Sequence, residues 1–278
     1  MTHADADQLK HDALALLPVR QQLPIWAARK RLVRLIEANS TVVLAGETGS
    51  GKTTQAPQFV LHALAPAGTI ACTQPRRVAA ITVAQRVAAE QGCAVGDKVG
   101  YAVRFDDRTG AATRLKYMTD GLLIREATGD PRLSSYSVVF VDEAHERSLN
   151  SDIVLGILKR AQAQRAASPQ RGKHAAGPLK VVVMSATIQQ QAFVDFFPGA
   201  VAAHVPGRQH DIEVFFTQAA QESYLRATVN AVLQVGPTLF ACASNASLLL
   251  CPSSLRFLTW RHTYLPKMPK FVVVRAQA

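Results

Sequence analysis

Gly46-Glu47-Thr48-Gly49-Ser50-Gly51-Lys52-Thr53 sets three glycines, a lysine and a hydroxyl in the order G-x-x-x-x-G-K-[ST]. Glycines at 46, 49 and 51 let the backbone curl so that successive N–H groups converge on a phosphate, and the positive end of a following helix adds to that field. Lys52 can then reach the β and γ oxygens of a nucleoside triphosphate, and Thr53 can offer its hydroxyl to Mg²⁺. Gripping a triphosphate does not hydrolyse it. Hydrolysis needs a carboxylate that holds the metal and a group that polarises the attacking water. Asp142 and Glu143 follow the apolar run Ser137-Val138-Val139-Phe140-Val141, so Asp142 is placed to hold Mg²⁺ through its water shell and Glu143 to orient the water. An acidic helix start after a strand would account for an isolated Asp-Glu pair. The phosphate loop upstream favours catalysis.

These groups need a frame that brings residues some ninety positions apart to one place. Runs rich in β-branched and apolar residues read as strands at 41–45, 69–74, 99–105, 113–118, 137–141, 179–184 and 211–217. Helical spacing is read over 25–38, from the phosphate loop to about Leu64, and over 76–90, 120–127, 151–163, 189–197 and 222–235. Pro57 is expected to kink or loosen the second of these. Strand alternating with helix implies βαβ units and a parallel sheet, whose ligands collect at the carboxyl ends of its strands. The first 22 residues are expected to form a loose arm with a short helix, and 164–178 an exposed loop. The cluster Arg29, Lys30, Arg31 and Arg34 reads as a solvated helix face, with a nuclear-localisation or RNA-contacting patch as the alternative.

A net charge of +11 favours a polyanionic partner over an acidic one. Cys72, Cys93, Cys242 and Cys251 form no CxxC pair and no metal-like spacing, which suits a reduced, intracellular protein. No apolar run approaches the ~20 residues of a membrane-spanning helix, and the acidic start, with Asp5, Asp7 and Asp12, suggests neither a secretory nor a transit signal.

Taken together and in this order, Gly46 to Gln55 (GETGSGKTTQ), Thr73 to Ala80 (TQPRRVAA), Thr119-Asp120-Gly121, Asp142 to Ser148 (DEAHERS) and Ser185-Ala186-Thr187 resemble the DEAH-box RNA helicases. Gly100 to Asp107 and Gly207-Arg208-Gln209 match further family stretches. The resemblance covers 23–235 and implies the first RecA-like domain, an α/β P-loop NTPase fold with a mostly parallel sheet and helices on both faces, complete as one domain. It implies ATP and Mg²⁺ at Gly46 to Thr53 with Thr54 beside them, Arg86 on the adenine, and the metal and water roles at Asp142 and Glu143. It assigns His145, Ser185 and Thr187 to coupling nucleotide state with RNA grip. Arg76, Arg77, Thr119, Asp120 and Gly121 fall in motifs that touch the RNA backbone, as guanidiniums and a helix start are suited to do. An activating protein, a monomeric state, no membrane and a nuclear or nucleolar location, before a cytoplasmic one, are the accompanying expectations.

The chain also departs from the family. No Q-x-x-G-R-x-G-R-like stretch is present, and 236–278 lacks both acidic residues and the βα rhythm. Arg256, Arg261, Lys267 and Lys270 interleave there with Phe257, Trp260 and Tyr264, readable as a nucleic-acid surface or, preferably, as a poorly ordered basic tail. Strands at 237–243 and 271–274 are the elements it could form. Arginine fingers are worth about 10³–10⁵ in rate in related phosphoryl-transfer systems, so a chain without them is expected to bind ATP with little turnover. Two functions follow: the nucleotide-binding half of an ATP-dependent RNA helicase, or a truncated, non-catalytic ATP/RNA-binding module. A GTPase or small-molecule kinase is disfavoured, because no Asn-Lys-x-Asp guanine-reading stretch occurs.

Overall fold

The structure, a computed structural model, describes residues 3–167, 177–186, 190–207, 212–215, 223–230 and 273–276. Its strands are β1 (Thr41–Gly46), β2 (Thr69–Gln74), β3 (Val99–Val103), β4 (Asp106–Arg108), β5 (Leu115–Thr119), β6 (Tyr136–Val141), β7 (Lys180–Ser185), β8 (Val201–Val205), β9 (Ile212–Phe215) and β10 (Val273–Ala276). The first eight form one sheet in the order β4-β3-β5-β2-β6-β7-β1-β8. Every neighbouring pair in it is parallel except β3 with β4. The helices are α1 (His3–Gln21), α2 (Pro24–Ala38), α3 (Lys52–Ala63), α4 (Arg77–Glu90), α5 (Asp120–Gly129), α6 (Leu149–Ala167) and α7 (Gln191–Phe196), with a 3₁₀ turn at Ala144–Glu146.

The central strands carry no polar alternation because both faces are covered. Val42, Leu44, Ile70, Cys72, Val138, Phe140, Val182 and Met184 point to one side, where Ile25, Leu32 and Ile36 of α2, Phe59 and Val60 of α3 and Ala84 and Val87 of α4 close the core. Val43, Ala71, Val139, Val141, Val181 and Val183 point to the other, against Leu123 of α5, Val154 and Leu158 of α6 and Phe193 of α7. A parallel sheet between two helical layers places the ends of β1, β2, β5, β6 and β7 along one edge, and the sequence motifs sit on that edge.

Four local features differ from the sequence-based expectation. Residues 3–21 form one helix, in which Arg20 is the buried residue among the described side chains. Its covered positions, Leu9, Ala13, Leu16, Leu17 and Arg20, lie on one face but end in an arginine. Pro57 sits inside an uninterrupted α3. It cannot donate to the carbonyl of Thr53 one turn back, and the Tyr117 hydroxyl, 2.9 Å from that oxygen, donates instead. Asp106–Arg108, expected as a turn, is a short strand folded back on β3. β8 was not anticipated, being short and rich in alanine; it pairs with β1, Val42 opposite Val201 through Gly46 opposite Val205.

α6 runs on through Ala167, so the expected loop begins later; most of 164–178 lies outside the described residues. A second compact unit begins at Gln209. Within it β9 pairs antiparallel with β10, Ile212 opposite Ala276, and 224–230 are helical. Most of 236–278, including the expected strand at 237–243, lies outside the described residues, as do Thr187, Arg208 and Gln209. Among the described residues no helix is long and apolar enough to cross a membrane.

Candidate functional site

The phosphate loop joins β1 to α3. Gly49 and Gly51 have φ of 86° and 89°, in the left-handed region that an L side chain resists. Gly46 is required for a different reason: a Cβ there would lie 2.9 Å from the Val205 carbonyl oxygen of β8. The turn is closed by Ser50, whose N–H and hydroxyl both donate to the Glu47 carbonyl, at 3.2 and 2.7 Å. From behind, the Ile25 N–H of α2 donates to the Ser50 carbonyl at 3.1 Å. Glu47, Thr48 and Gly49 face solvent.

Lys52 opens α3 and is buried. Its ammonium donates to the carbonyl of Gly46, to that of Glu47 at 2.9 Å and to the Ser50 hydroxyl at 3.4 Å. Burial lowers its pKa, against the opposing pull of Asp142, Glu143 and Glu47. A cation held by loop carbonyls is poised to exchange them for phosphate oxygens.

Asp142 directly follows β6 and is the meeting point of three segments. Its Oδ2 accepts from the Thr53 hydroxyl at 2.5 Å and from the Gln74 amide at 2.6 Å, while Oδ1 accepts the Glu143 N–H at 2.9 Å. A hydroxyl and a carboxylate side by side are hard oxygen donors of the kind Mg²⁺ takes. No trio of His, Cys, Asp or Glu among the described residues forms a metal cage of its own.

Glu143 and Arg147 take left-handed φ of 51° and 49° on either side of the 3₁₀ turn. Such strain in a non-glycine costs about 1–3 kcal/mol and is held by its surroundings. Burial raises the Glu143 pKa, Asp142 adds to the rise, and His145 and Lys52 oppose it. His145 Nδ1 accepts the Ala186 N–H at 3.2 Å, so in the neutral ring the proton is on Nε2, which lies 3.4 Å from Glu143 Oε2. One imidazole thereby joins the end of β7 to the Glu143 carboxylate. Ser185, buried at that end, stands opposite Ala45 of β1.

The residues expected to meet RNA divide. Arg76 and Arg77 are exposed where β2 gives way to α4, and Arg76 Nη2 pairs with Glu146 Oε1 at 3.0 Å. Thr119 is partly covered and Gly121 exposed at the start of α5, but Asp120 is only 2% exposed and its Oδ2 accepts from Ser151 at 2.7 Å. The Asp120 carboxylate is thus directed inward, and the surface of this turn is offered by its neighbours. Arg86 donates through Nε to Glu90 Oε1 at 2.7 Å and stays half-exposed. Thr54, behind the loop, directs its hydroxyl toward the Gly51 carbonyl at 3.4 Å.

Gln74 was passed over in the sequence because a glutamine closing a strand has no distinctive spacing. Phe105 was passed over because it continues an apolar run; it stands 89% exposed between β3 and β4 with φ of 69°, the Arg104 guanidinium 4.7 Å from its ring centroid. Because β3 runs parallel to β5, this tip lies on the same edge as the other motifs.

Residues 27–195 match the DEAD/DEAH box helicase family. The chain is similar to the pre-mRNA-splicing factor ATP-dependent RNA helicase DEAH10 of Arabidopsis thaliana, 43% identical over 248 residues, covering 78% of this chain and 35% of that protein. It is also similar to the ATP-dependent RNA helicase DHX33 of Homo sapiens, 48% identical over 217 residues, covering 78% of this chain and 30% of that protein. The matched part therefore spans about a third of the length of these relatives.

Proposed function

The chain belongs to the DEAD/DEAH box helicase family, and from that premise we propose that it is the nucleotide-binding half of a DEAH-type ATP-dependent RNA helicase, taking Mg²⁺-ATP at the phosphate loop and the RNA backbone along the adjoining sheet edge. The observation that carries the proposal is the 2.5 Å bond between Thr53 and Asp142, which brings a phosphate loop and an acidic pair to one point. Thr53 and Asp142 would hold Mg²⁺, which when bound supplies charge neutralisation to the phosphates. Lys52 gives up the carbonyls of Gly46 and Glu47 and takes phosphate oxygens in their place. Glu143, whose ionised form His145 and Lys52 favour while burial and Asp142 raise its pKa, orients a water and accepts its proton.

Exposed Arg76 and Arg77 and the open start of α5 suit phosphate contacts that fix position without reading sequence. Both relatives are named as RNA helicases and one as a splicing factor, which supports a nuclear role in RNA processing. Steady-state ATPase with and without single-stranded RNA, on wild type, Lys52→Ala and Glu143→Gln, tests the reading. Expected are tight Mg²⁺-ATP binding by wild type and Glu143→Gln, loss of binding in Lys52→Ala, and low turnover for this chain. Binding that never leads to turnover would favour the non-catalytic ATP/RNA-binding module. Wild type that fails to bind nucleotide would overturn both.

A further inference from the structure

α5 and α6 begin side by side at the sheet edge, and a chain of two hydroxyls, Ser151 buried and Ser148 partly covered, joins their first turns. Ser151 is fully buried and Asp120 nearly so. The Ser151 hydroxyl donates to Asp120 Oδ2 at 2.7 Å, and its single proton is spent there. At the 2.8 Å contact between the two serine hydroxyls, Ser148 must therefore be the donor and Ser151 the acceptor. Ser148 Oγ in turn accepts the Ser151 N–H at 3.0 Å, the geometry of a helix N-cap. The chain ends on the Asp120 carboxylate, whose other oxygen, Oδ1, is buried with no hydrogen-bond partner. Asp120 is thus held by Ser151 at one oxygen and by nothing at the other, and a displacement of one helix start is felt at the other.

Ser148 also terminates the loop that carries Glu143 and His145. That loop is fastened to the elements around it: Asp142 to Thr53 and Gln74, His145 to Ala186, Glu146 to Arg76, and Ser148 through Ser151 to Asp120. We propose that Ser151 is a positioning residue that relays movement of the β5–α5 turn, where RNA backbone would lie, to the loop that aims Glu143. The inference rests on the function proposed above. Ser151 touches neither nucleotide nor RNA in this scheme, so its loss is expected to uncouple the two ligands without weakening nucleotide binding itself.

The test uses the full chain, a fluorescent ATP analogue with Mg²⁺, and an oligouridylate RNA. The quantity read is the fold-change in nucleotide dissociation constant that saturating RNA produces. Ser151→Ala should bind nucleotide as wild type does without RNA, while the RNA-induced change shrinks by about 5-fold or more. Ser151→Thr, which keeps the hydroxyl, should restore it. Should Ser151→Ala lower the melting temperature markedly, Ser151→Cys, close in volume and a feeble donor, takes its place. An RNA response in Ala or Cys equal to wild type overturns the relay and leaves the proposed function standing. RNA-free affinity lost in step with the response shows a merely structural serine and also overturns the relay. Wild type that binds both ligands with no mutual effect overturns the coupling and the relay together, and wild type that binds no nucleotide overturns the proposed function from which both follow.

Discussion

Thr53 Oγ1 donates to Asp142 Oδ2 across 2.5 Å, joining the first turn of α3 to the end of β6 although 89 positions separate them in the chain. The two strands that end here, β1 and β6, are not neighbours; β7 lies between them. The bond spans that gap, and Gln74, reaching in from β2, shares the same carboxylate oxygen. A metal brought to this point would find a hydroxyl and a carboxylate already in place.

Removing either donor should therefore impair the metal and spare the bare nucleotide. Thr53→Val and Asp142→Asn are expected to weaken Mg²⁺-ATP binding by about 10–100-fold, while ATP binding in EDTA stays close to wild type. Thr53→Ser should behave as wild type. Equal losses with and without Mg²⁺ would show that the pair supports the loop rather than the ion.

Glu143 offers a prediction in pH. Its folded pKa is raised by burial and by Asp142, so between the unfolded and folded values the native state holds more protons than the unfolded chain. Ionising it costs stability, a cost fully present above the folded value and absent below the unfolded value near about 4.3. Glu143→Gln should accordingly melt above wild type at pH 7, and the gain should fade as the pH falls toward about 4. A gain that is constant with pH would point to packing instead.

The phosphate loop and the acidic pair could be read in advance because their chemistry demands particular residue types at fixed spacing. Gly49, Gly51, Lys52 and Thr53 have few substitutes. The buried strands announced themselves for a similar reason, since β6 and β7 must be apolar on both faces. What escaped notice depends on partners distant in sequence. Gln74 matters because β2 ends beside β6. Tyr117 makes Pro57 tolerable by donating to the Thr53 carbonyl, and nothing near either residue says so. Asp120 belongs to a motif expected at the surface, yet a serine 31 positions later draws its carboxylate inward.

Arg76 pairs with Glu146 at 3.0 Å, but its own side chain is 74% exposed. An ion pair of that kind contributes about 0–1 kcal/mol, so the arginine can leave it cheaply for a phosphate. Arg76→Ala should leave the melting temperature nearly unchanged and weaken single-stranded RNA binding, with the slope of log K against log salt reduced by about 0.7 for one lost phosphate contact. A large loss of stability with an unchanged salt slope would mean that the pair with Glu146 is the arginine's main employment.

An exposed phenyl ring beside a guanidinium is a surface on which a base can stack. Phe105→Ala is expected to lower affinity for single-stranded RNA by about 1–3 kcal/mol and to leave Mg²⁺-ATP binding alone, since the ring is solvent-exposed and far less committed to the core than its neighbour Val103. Fluorescence anisotropy with a short RNA measures the first and nucleotide titration the second. Unchanged RNA affinity would remove the β3–β4 tip from the RNA path.

Arg20 fastens α1 to the rest of the domain, and the consequences of removing it can be ordered in advance. Its guanidinium donates to Gln55 at 3.0 Å, Gln58 at 2.9 Å and the Glu90 carbonyl at 3.2 Å, and it lies 3.3 Å from the buried Glu90 carboxylate. Breaking a buried ion pair from one side costs about 3–5 kcal/mol. Glu90 retains Arg86 at 2.7 Å and the amides of Gln55 and Gln58 at 2.8 and 2.7 Å, which sets Arg20→Ala at the lower end, about 3 kcal/mol by urea denaturation. Leu9, Ala13, Leu16 and Leu17 of α1 are partly covered on the same face as Arg20, so deleting residues 1–21 should cost more than that single substitution. A deletion no more damaging than Arg20→Ala would show instead that the arginine alone holds the helix. Replacing the charge on both sides, as Arg20→Met with Glu90→Gln, should recover part of the loss, because no carboxylate is then left buried beside an empty place.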